Sequence, residues 1–410
     1  MQFNEIIAQE ELKHRLVQMV QKNRLSHALL FLGHEGSGAL PMSIAFAQYI
    51  LCERIQPRKK QAENSLFAES PEESNPVFRE DSCGVCSSCI KVQQLIHPDL
   101  HFSYPSLRKD SNHKMVLSTD FITEWREFIA KHPYGNVTGW LDFLKQHPKA
   151  RIDSSTNKQG NITVNECDEI GKKLSLKSFE GVHKILIMWM PEFLGPSGNK
   201  LLKLIEEPPS NTIFILVAED ENEILPTILS RTQLIRVPLF SNRDIEKALI
   251  EKEIPSEKAL QIAAISEGNY LEALKMLHNA EEDWEEGIRS WLNVILKRNV
   301  NSQLKWIEEI SKLGREKQKQ FLKFFIHLLQ QAVKVRYINS ENLETITPEQ
   351  QDFAQRLNSM CSLEGQEAIV NELEKAMYYI ERNAHGKMLF HALTIRLYHI
   401  IKDNSLILVH

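Results

Sequence analysis

The sequence has no excess of basic residues and no long apolar run, and each absence argues against a class of protein. With 49 Lys and Arg against 54 Asp and Glu, the formal net charge of the 410 residues is −5. A protein that binds nucleic acid by itself is normally basic. The longest compact apolar run covers residues 185–190, far fewer than the roughly 20 residues that span a bilayer. We therefore expect no membrane span and no membrane partner.

Cysteine is scarce, and the first residues lack the features of a secretory signal. Residues 1–11 are polar and acidic, whereas a signal peptide is basic and then apolar. We therefore expect a cytoplasmic location, where disulfides are rare. Only six cysteines occur in the chain, and three of them are closely spaced. In a reducing compartment this clustering indicates a metal site rather than a disulfide framework.

The order of apolar runs predicts an α/β domain over roughly 1–240. Residues 28–32 form a short apolar run that leads into the glycine-rich segment 33–38, and a helical pattern follows. This order is the first half of a βαβ unit. Short apolar runs between helices are typical of a parallel sheet covered on both faces. Further strands of this kind are predicted at 184–188, 212–217 and 234–237, and a helix is predicted over 199–207, ended by the prolines at 208 and 209.

The remaining segments are helical or fall outside the α/β pattern. Residues 243–280 predict two or three short helices, and 285–403 predict helices throughout, with an apolar stripe from Phe321 to Leu329. The polar segment 53–80 and the segment 105–160 are interpreted as insertions without an assigned role. Within the second insertion, three aromatic residues at helical spacing predict one packed helix: Phe121, Trp125 and Phe128.

The glycine-rich segment has the spacing of a P-loop but lacks its two functional side chains. A P-loop reads G-x-x-x-x-G-K-[ST]; its backbone N–H groups bind phosphate, its lysine neutralises the phosphates and its hydroxyl holds magnesium. The three glycines of the segment are Gly33, Gly36 and Gly38, but Ala39 replaces the lysine and Leu40 replaces the hydroxyl residue. By itself the segment fits a former nucleotide site and an ordinary glycine turn equally well.

The acidic cluster that an ATPase requires is also missing. Carboxylates for magnesium and for the attacking water should follow strand 184–188 directly. That strand instead ends in Trp189 and Met190, and Glu192 comes too late in the chain. We therefore predict that this chain does not hydrolyse ATP and that its loop is structural or binds an anion weakly.

The clustered cysteines predict a structural zinc ion. Cys83, Cys86 and Cys89 follow the pattern C-x-x-C-x-x-C, and structural Zn²⁺ takes four ligands, commonly all sulfur. Cys52, which ends the predicted helix after the glycine loop, is the preferred fourth ligand, and His97 is the alternative. A site with four sulfur ligands leaves no open position for catalysis. The other two cysteines are interpreted as buried apolar residues: Cys167 and Cys361.

Two further motifs make the chain resemble the AAA+ clamp-loader family of bacteria. Residues 199–209, NKLLKLIEEPP, are close to that family's NxLLKxLEEPP segment, and residues 225–232, LPTILSRT, resemble its LPTIxSRC segment. Together with the glycine loop, the cysteines and His-Pro-Asp at 97–99, the resemblance covers most of 1–240. Within this family, tau/gamma subunits carry an intact P-loop. Delta-prime subunits typically carry the zinc module and the Ser-Arg motif on a degenerate P-loop, and the sequence resembles these.

The resemblance implies a fold, partners and a role for one arginine. The implied fold is an α/β AAA+ P-loop module with a zinc module over 1–240, a three-helix lid over 241–285, and an all-α collar over 286–410. The implied partners are the tau/gamma and delta subunits of the DNA polymerase III clamp loader and, indirectly, the sliding clamp and primer–template DNA. In such rings the arginine of the Ser-Arg motif, here Arg231 after Ser230, projects into the ATP site of the adjacent subunit. The alternative is an arginine in a surface ion pair.

The sequence departs from the family pattern at two positions, and two other functions remain open. Thr232 replaces the cysteine after Ser-Arg, and Leu271 stands where family ATPases often carry an arginine that contacts nucleotide. One alternative function is a tau/gamma-type ATPase, against which Ala39, Leu40 and Trp189 weigh. The other is a free-standing zinc-dependent DNA-binding protein, and the net negative charge of the chain argues against it.

Overall fold

The computed structural model of the chain forms two compact units. One unit comprises Met1–Lys252 with Gly268–Glu272, and the other comprises Glu253–Glu267 with Ala273–His410. The residues that the structure describes are 1–56, 80–109, 113, 115–150, 152, 160–278, 284–297, 299–337 and 348–403. Among them, no helix combines the length and the apolar character needed to span a bilayer. The division into an α/β domain over 1–240, a lid over 241–285 and a collar over 286–410 stays a prediction.

The first unit is built on a five-stranded parallel sheet. Its strands are β1 Ala28–Leu32, β2 Leu100–Ser103, β3 Lys184–Trp189, β4 Thr212–Ala218 and β5 Gln233–Arg236. They lie in the order β2-β3-β4-β1-β5, and every neighbouring pair is parallel. Because parallel strands end at the same edge of a sheet, the residues that follow β1, β3 and β4 lie side by side there.

Helices and short 3₁₀ turns surround this sheet. The helices are α1 Glu10–Gln21, α2 Ala39–Leu51, α3 Ser87–Gln93, α4 Ile122–Lys131, α5 Val137–Gln146, α6 Val164–Ser175, α7 Leu202–Glu206, α8 Pro226–Leu229 and α9 Asn242–Ile250. The 3₁₀ helices are Phe3–Glu5, Ser118–Phe121, Pro191–Leu201 and Glu221–Glu223. Every residue of α2 is buried, which places this helix at the centre of the unit.

The predicted helix over 199–207 differs from the structure in its first three residues, which are 3₁₀-helical. The chain is 3₁₀ through Leu201 and becomes α-helical at Leu202. Gly195 breaks this segment with a φ of 50°, and the proline that follows it has no N–H to donate. The end of the helix before Pro208 is as predicted.

The segment 105–160 completes the core instead of projecting from it. Phe121, Trp125, Phe128 and Trp140 are each between 0 and 2% exposed and belong to the same apolar cluster as α2. Trp125 stacks on Tyr104 with ring centroids 4.1 Å apart. Large rings bury much apolar area, so the predicted packing role of the aromatic residues is confirmed. Of the first predicted insertion, 53–80, the part 57–79 lies outside the described residues.

The second unit is helical throughout its described residues. Its helices are α10 Ser256–Ile265, α11 Tyr270–His278 (which begins in the first unit), α12 Trp284–Lys297, α13 Val300–Lys312, α14 Arg315–Tyr337, α15 Pro348–Met360, α16 Leu363–Glu381 and α17 Gly386–Asp403. Trp291 stacks on Trp306 at 4.8 Å and donates a hydrogen bond to Thr394. The predicted stripe that begins at Phe321 is buried here, and the predicted helical character is confirmed.

Candidate metal centre and glycine-loop site

Four cysteines from two segments come together at the carboxyl end of α2. Cys52 caps that helix, and Cys83, Cys86 and Cys89 lie on the turn that leads into α3. Their Sγ atoms all lie within 4.8 Å of one another, and the Sγ atoms of Cys83 and Cys89 are 3.9 Å apart. A tetrahedral zinc ion with Zn–S bonds of about 2.3 Å holds its sulfurs roughly 3.8 Å apart. The number, type and spacing of the ligands therefore suit a structural zinc ion.

Hydrogen bonds converge on the sulfur atoms of the cluster and favour the thiolate form at Cys52. Backbone N–H groups of Cys83, Cys86 and Cys89 donate to the sulfurs of Cys52, Cys83 and Cys86 respectively, each at 3.4 Å. The pKa of Cys52 is lowered to about 5, chiefly because the Cys89 thiol hydrogen-bonds to its sulfur. Burial instead raises the pKa of Cys167, outside the cluster, to about 11. The pKa of Cys89 is raised by the same hydrogen bond with Cys52 and by burial, and burial raises the pKa of Cys86. Metal binding needs the thiolate, so without a metal ion Cys52 is the sulfur whose thiolate form the surroundings favour.

His97, the alternative fourth ligand, lies outside the sulfur cluster. Within the described residues, the four cysteines are the one group of side chains spaced for a metal ion. The Nε2 atom of His97 lies 3.4 Å from the Ser88 hydroxyl, and its Nδ1 accepts the N–H of Asp99 at 3.1 Å. His97 therefore joins α3 to the start of β2 and has a packing role.

Asp99, to which the sequence pattern assigns no role, fixes a loop about 80 residues further along the chain. It is 2% exposed, and its carboxylate accepts the N–H groups of Phe179, Glu180 and Gly181 at 2.5, 2.7 and 2.5 Å. Hydrogen bonds to a carboxylate are among the stronger ones in proteins. The His-Pro-Asp segment is therefore a structural support for the loop before β3.

The glycine loop keeps the backbone shape that a phosphate site needs. Gly36 and Gly38 have φ values of 74° and 83°, in the left-handed region that favours glycine, and Gly38 is the N-cap of α2. The N–H of Gly33 donates to the carbonyl of Ala218 at the end of β4. A glycine loop that opens a helix in this way presents backbone N–H groups to anions.

Apolar side chains stand where a P-loop has its lysine and its hydroxyl. Ala39 and Leu40 are 7 and 4% exposed and pack into the core of the unit. After β3, Trp189 is 3% exposed and lies 5.3 Å from Trp125, measured between ring centroids. Neither place carries the cation or the magnesium ligands of an ATPase.

Two carboxyl groups lie near the glycine loop, and one of them is engaged in hydrogen bonds to the backbone. An oxygen of Glu192 accepts the N–H groups of Glu219 and Asp220 at 2.6 and 3.1 Å, so Glu192 ties the residues after β3 to those after β4. Burial raises the pKa of Glu192. It also raises the pKa of Glu219 to about 7, with smaller contributions from the negative charges of Glu35 and Glu192.

The substitution Glu219→Gln is expected to stabilise the chain more at pH 8 than at pH 5. The pKa of Glu219 is about 7 in the folded state against 4.5 ordinarily, so the folded state binds this proton more tightly than the unfolded state. Stability is therefore lost as the pH rises from about 4.5 through 7, and glutamine removes that loss. Because one pKa unit is about 1.4 kcal/mol and the site is partly solvated, we expect a gain of about 2 kcal/mol at pH 8.

The measurement is denaturant unfolding of both proteins at pH 5 and pH 8. The exposed neighbour Glu223 provides the control, since Glu223→Gln should change stability little at either pH. An equal gain from Glu219→Gln at both pH values would contradict the pKa assignment.

Arg231 lies at the surface, directly after α8. Its guanidinium forms an ion pair with Glu206, and its Nη1 donates to the Thr227 carbonyl at 2.9 Å and to the Ser230 hydroxyl at 3.2 Å. Both side chains of the ion pair are partly exposed, at 36 and 42%. Such pairs contribute about 0–1 kcal/mol, so a stronger anion can displace Glu206. The isolated chain thus holds Arg231 in a surface ion pair, and its role towards a neighbour stays a prediction.

The fold and the glycine loop define the class of protein. A parallel sheet whose first strand leads through a glycine loop into a buried helix, together with a helical carboxyl-terminal region, is the predicted AAA+ P-loop architecture. The predicted fold class is confirmed, and its zinc module corresponds to the cluster of four cysteines.

Comparison with known proteins identifies the family. The profile of the family described as DNA polymerase III, delta subunit, matches residues 8–241, and the chain belongs to this family. The chain is 25% identical to DNA polymerase III subunit delta' of Bacillus subtilis over 275 residues, which cover 66% of this chain and 61% of that protein. It is 23% identical to subunit delta' of Haemophilus influenzae, over 64% of this chain and 59% of that protein. The predicted resemblance to delta-prime subunits is confirmed.

Other similarities are weaker. The chain is 22% identical to DNA polymerase III subunit gamma/tau of Mycobacterium tuberculosis, over 56% of this chain and 27% of that protein. The structural alignment with a DNA polymerase III gamma subunit-related protein from Thermotoga maritima covers 94% of this chain and 98% of that protein. The sequence identity is 13% and the TM-score is 0.34. The chain spans about six tenths of the length of the two delta' relatives.

Proposed function

We propose that the chain is a non-hydrolysing subunit of the DNA polymerase III clamp loader. In this role it assembles with tau/gamma-type and delta subunits and supports the loading of the sliding clamp onto primer–template DNA. The family to which the chain belongs supports the clamp-loader assignment. The identity to subunit delta' of two bacteria supports the kind of subunit.

One observation carries the non-hydrolysing part of the proposal. The glycine loop keeps its left-handed glycines, while buried Ala39 and Leu40 replace the lysine and the magnesium ligand. Without a cation and a bound metal ion, the charge that develops on a transferred phosphoryl group has no stabilisation. Trp189, which fills the place of the acidic cluster, supports the same conclusion.

The proposed zinc ion has a structural role. Cys52, Cys83, Cys86 and Cys89 would hold it, and four sulfur ligands leave no coordination position for a substrate. The ion would join the carboxyl end of α2 to the start of α3, which are separated in sequence by more than 30 residues.

Arg231 is the residue through which we propose that this chain assists ATP hydrolysis. An arginine supplied from one subunit to the ATP site of another stabilises charge on the γ-phosphate in the transition state. Its partly exposed position after α8 supports this role, because only a surface side chain can reach a neighbour. Ser230, whose hydroxyl lies 3.2 Å from the guanidinium, would orient it.

Reconstitution tests the proposal. The chain is mixed with a tau/gamma-type ATPase, a delta subunit, the sliding clamp and primed DNA, and complex formation, ATP turnover and clamp loading are measured. We expect a stable complex whose clamp loading requires this chain, and no ATP turnover by the chain alone in a single-turnover assay. Metal-dependent ATP cleavage by the isolated chain, or the absence of a complex, would overturn the proposal.

A further inference from the structure

A tyrosine from the segment between α4 and α5 lies over the glycine loop. A Cβ atom placed on Gly38 would lie 3.0 Å from a ring carbon of Tyr134. The Tyr134 ring also contacts Tyr270 edge to face, with centroids 4.9 Å apart, and Phe240 at 6.1 Å. Phe240 and Tyr270 contact each other at 6.2 Å. The three rings therefore form a cluster, here called the aromatic cap, directly beside the loop.

Hydrogen bonds hold the aromatic cap in place. The Tyr134 hydroxyl accepts the N–H of Ile7 at 3.2 Å. The N–H of Tyr270 donates to the Gly36 carbonyl at 3.3 Å, and the N–H of Phe240 donates to the Gly268 carbonyl at 3.2 Å. Each ring of the cap is thus fixed by its own backbone or by its hydroxyl, and one of these bonds goes to the glycine loop itself.

Little space remains between Tyr134 and the glycine loop. The cavity there has a volume of about 20 Å³ and is lined by the loop glycines, Tyr134, Trp189 and Glu219. A water molecule needs roughly 10–15 Å³ by such a measure, so the cavity holds about one water. A phosphate group, with its four oxygens, is several times larger. The cavity cannot accept the phosphates of a nucleotide while Tyr134 keeps this position.

Carboxylates add an electrostatic barrier at the same place. Glu219 lines the cavity at the end of β4, and Glu35, within the glycine loop, interacts electrostatically with it. Above pH 7, where Glu219 is ionised, its charge and that of Glu35 oppose the binding of a further anion. Steric and electrostatic exclusion therefore act together.

We propose that Tyr134 and the aromatic cap exclude nucleotide from the glycine loop, so that the loss of the P-loop lysine and hydroxyl is not the only reason the site is closed. The segment 105–160, for which the sequence indicates no role, thereby gains one: it places Tyr134 where the phosphates of a nucleotide would lie. The proposal rests on the proposed function only in treating the loop as a former phosphate site.

The test restores the P-loop chemistry with and without the tyrosine. Three proteins are prepared: Ala39→Lys/Leu40→Thr, the same protein with Tyr134→Ala, and the same protein with Tyr134→Phe. Binding of Mg²⁺–ATP and of ADP is measured by isothermal titration calorimetry. We expect at least tenfold tighter binding when the ring is removed, and no gain when phenylalanine keeps the ring.

A matched control separates the position of the ring from general loosening of the domain. Phe143 on α5 is also partly buried, contacts Phe128 at 5.7 Å, and does not line the cavity. Phe143→Ala in the restored background should leave binding unchanged. Circular dichroism and thermal melts establish whether each variant is folded. If the Tyr134→Ala protein unfolds at a low temperature, Tyr134→Leu replaces it, because leucine also lacks the ring but leaves a smaller void.

Two results would overturn the proposal. One is equal affinity of the restored protein with and without Tyr134 while both are folded, and the other is equal gain from Tyr134→Ala and Phe143→Ala. Neither result would affect the reconstitution test above, because clamp loading there requires no nucleotide on this chain.

Discussion

Replacing Cys52 by serine is expected to abolish stoichiometric zinc binding and to lower the free energy of unfolding by several kcal/mol. Cys52 is fully buried, and its sulfur lies with three others within 4.8 Å. Apparent binding energies of structural zinc in small peptides reach about 10–16 kcal/mol at neutral pH, and part of this would be lost with one ligand. Elemental analysis of the purified chain and thermal melts measure the two effects.

Two control variants make the zinc experiment specific. Cys167 is equally buried but lies outside the cluster, so Cys167→Ser should keep one zinc per chain. His97→Ala should also keep the zinc, because His97 contacts Ser88 and Asp99. A wild-type chain with much less than one zinc, or Cys52→Ser with a full complement, would contradict the assignment of these ligands.

Replacing Arg231 by alanine is expected to slow ATP hydrolysis at the neighbouring site of an assembled clamp loader by about 10³-fold or more. Arginines supplied in this way contribute about 10³–10⁵ to turnover. Lysine should not restore the rate, since it lacks the planar fork that contacts phosphate oxygens at two points. The stability of the isolated chain should change little, because the ion pair with Glu206 is partly exposed. The measurement is DNA-stimulated ATPase of the reconstituted complex.

The control for this experiment is another surface arginine of the same unit. Arg236 at the end of β5 is 69% exposed and pairs with Glu221 at 3.5 Å. Arg236→Ala should leave turnover unchanged if the effect belongs to the Ser-Arg motif and not to surface charge. Unchanged DNA-stimulated turnover in Arg231→Ala would show that the surface ion pair is the arginine's whole role.

Local patterns predicted four of the five strands and missed β2. The predicted strands near 28–32, 184–188, 212–217 and 234–237 all occur. The first three are buried along their whole length, as strands of a parallel sheet covered on both faces are. Strand β2, Leu100–Ser103, has only four residues and includes His101. Its conformation depends on pairing with β3, and no local pattern carries that information.

Site residues were likewise predictable where a local pattern marks them and were missed where only distant contacts define them. The cysteines and the glycines were predictable because each set has a characteristic spacing, and Cys52 because a helix ends there. Asp99 and Tyr134 act on partners 80 and 127 residues away in the sequence. Such contacts are set by the packing of the whole unit, so the sequence around either residue gives no sign of them.

Helix α2 connects the glycine loop directly to the cysteine cluster. Its amino end carries the glycine loop, its carboxyl end carries Cys52, and all 13 of its residues are buried. A helix of this length is about 20 Å long, and densely packed interiors transmit strain rather than absorb it. A metal ion held by Cys52 would therefore fix the carboxyl end of the same rigid helix whose amino end forms the glycine turn.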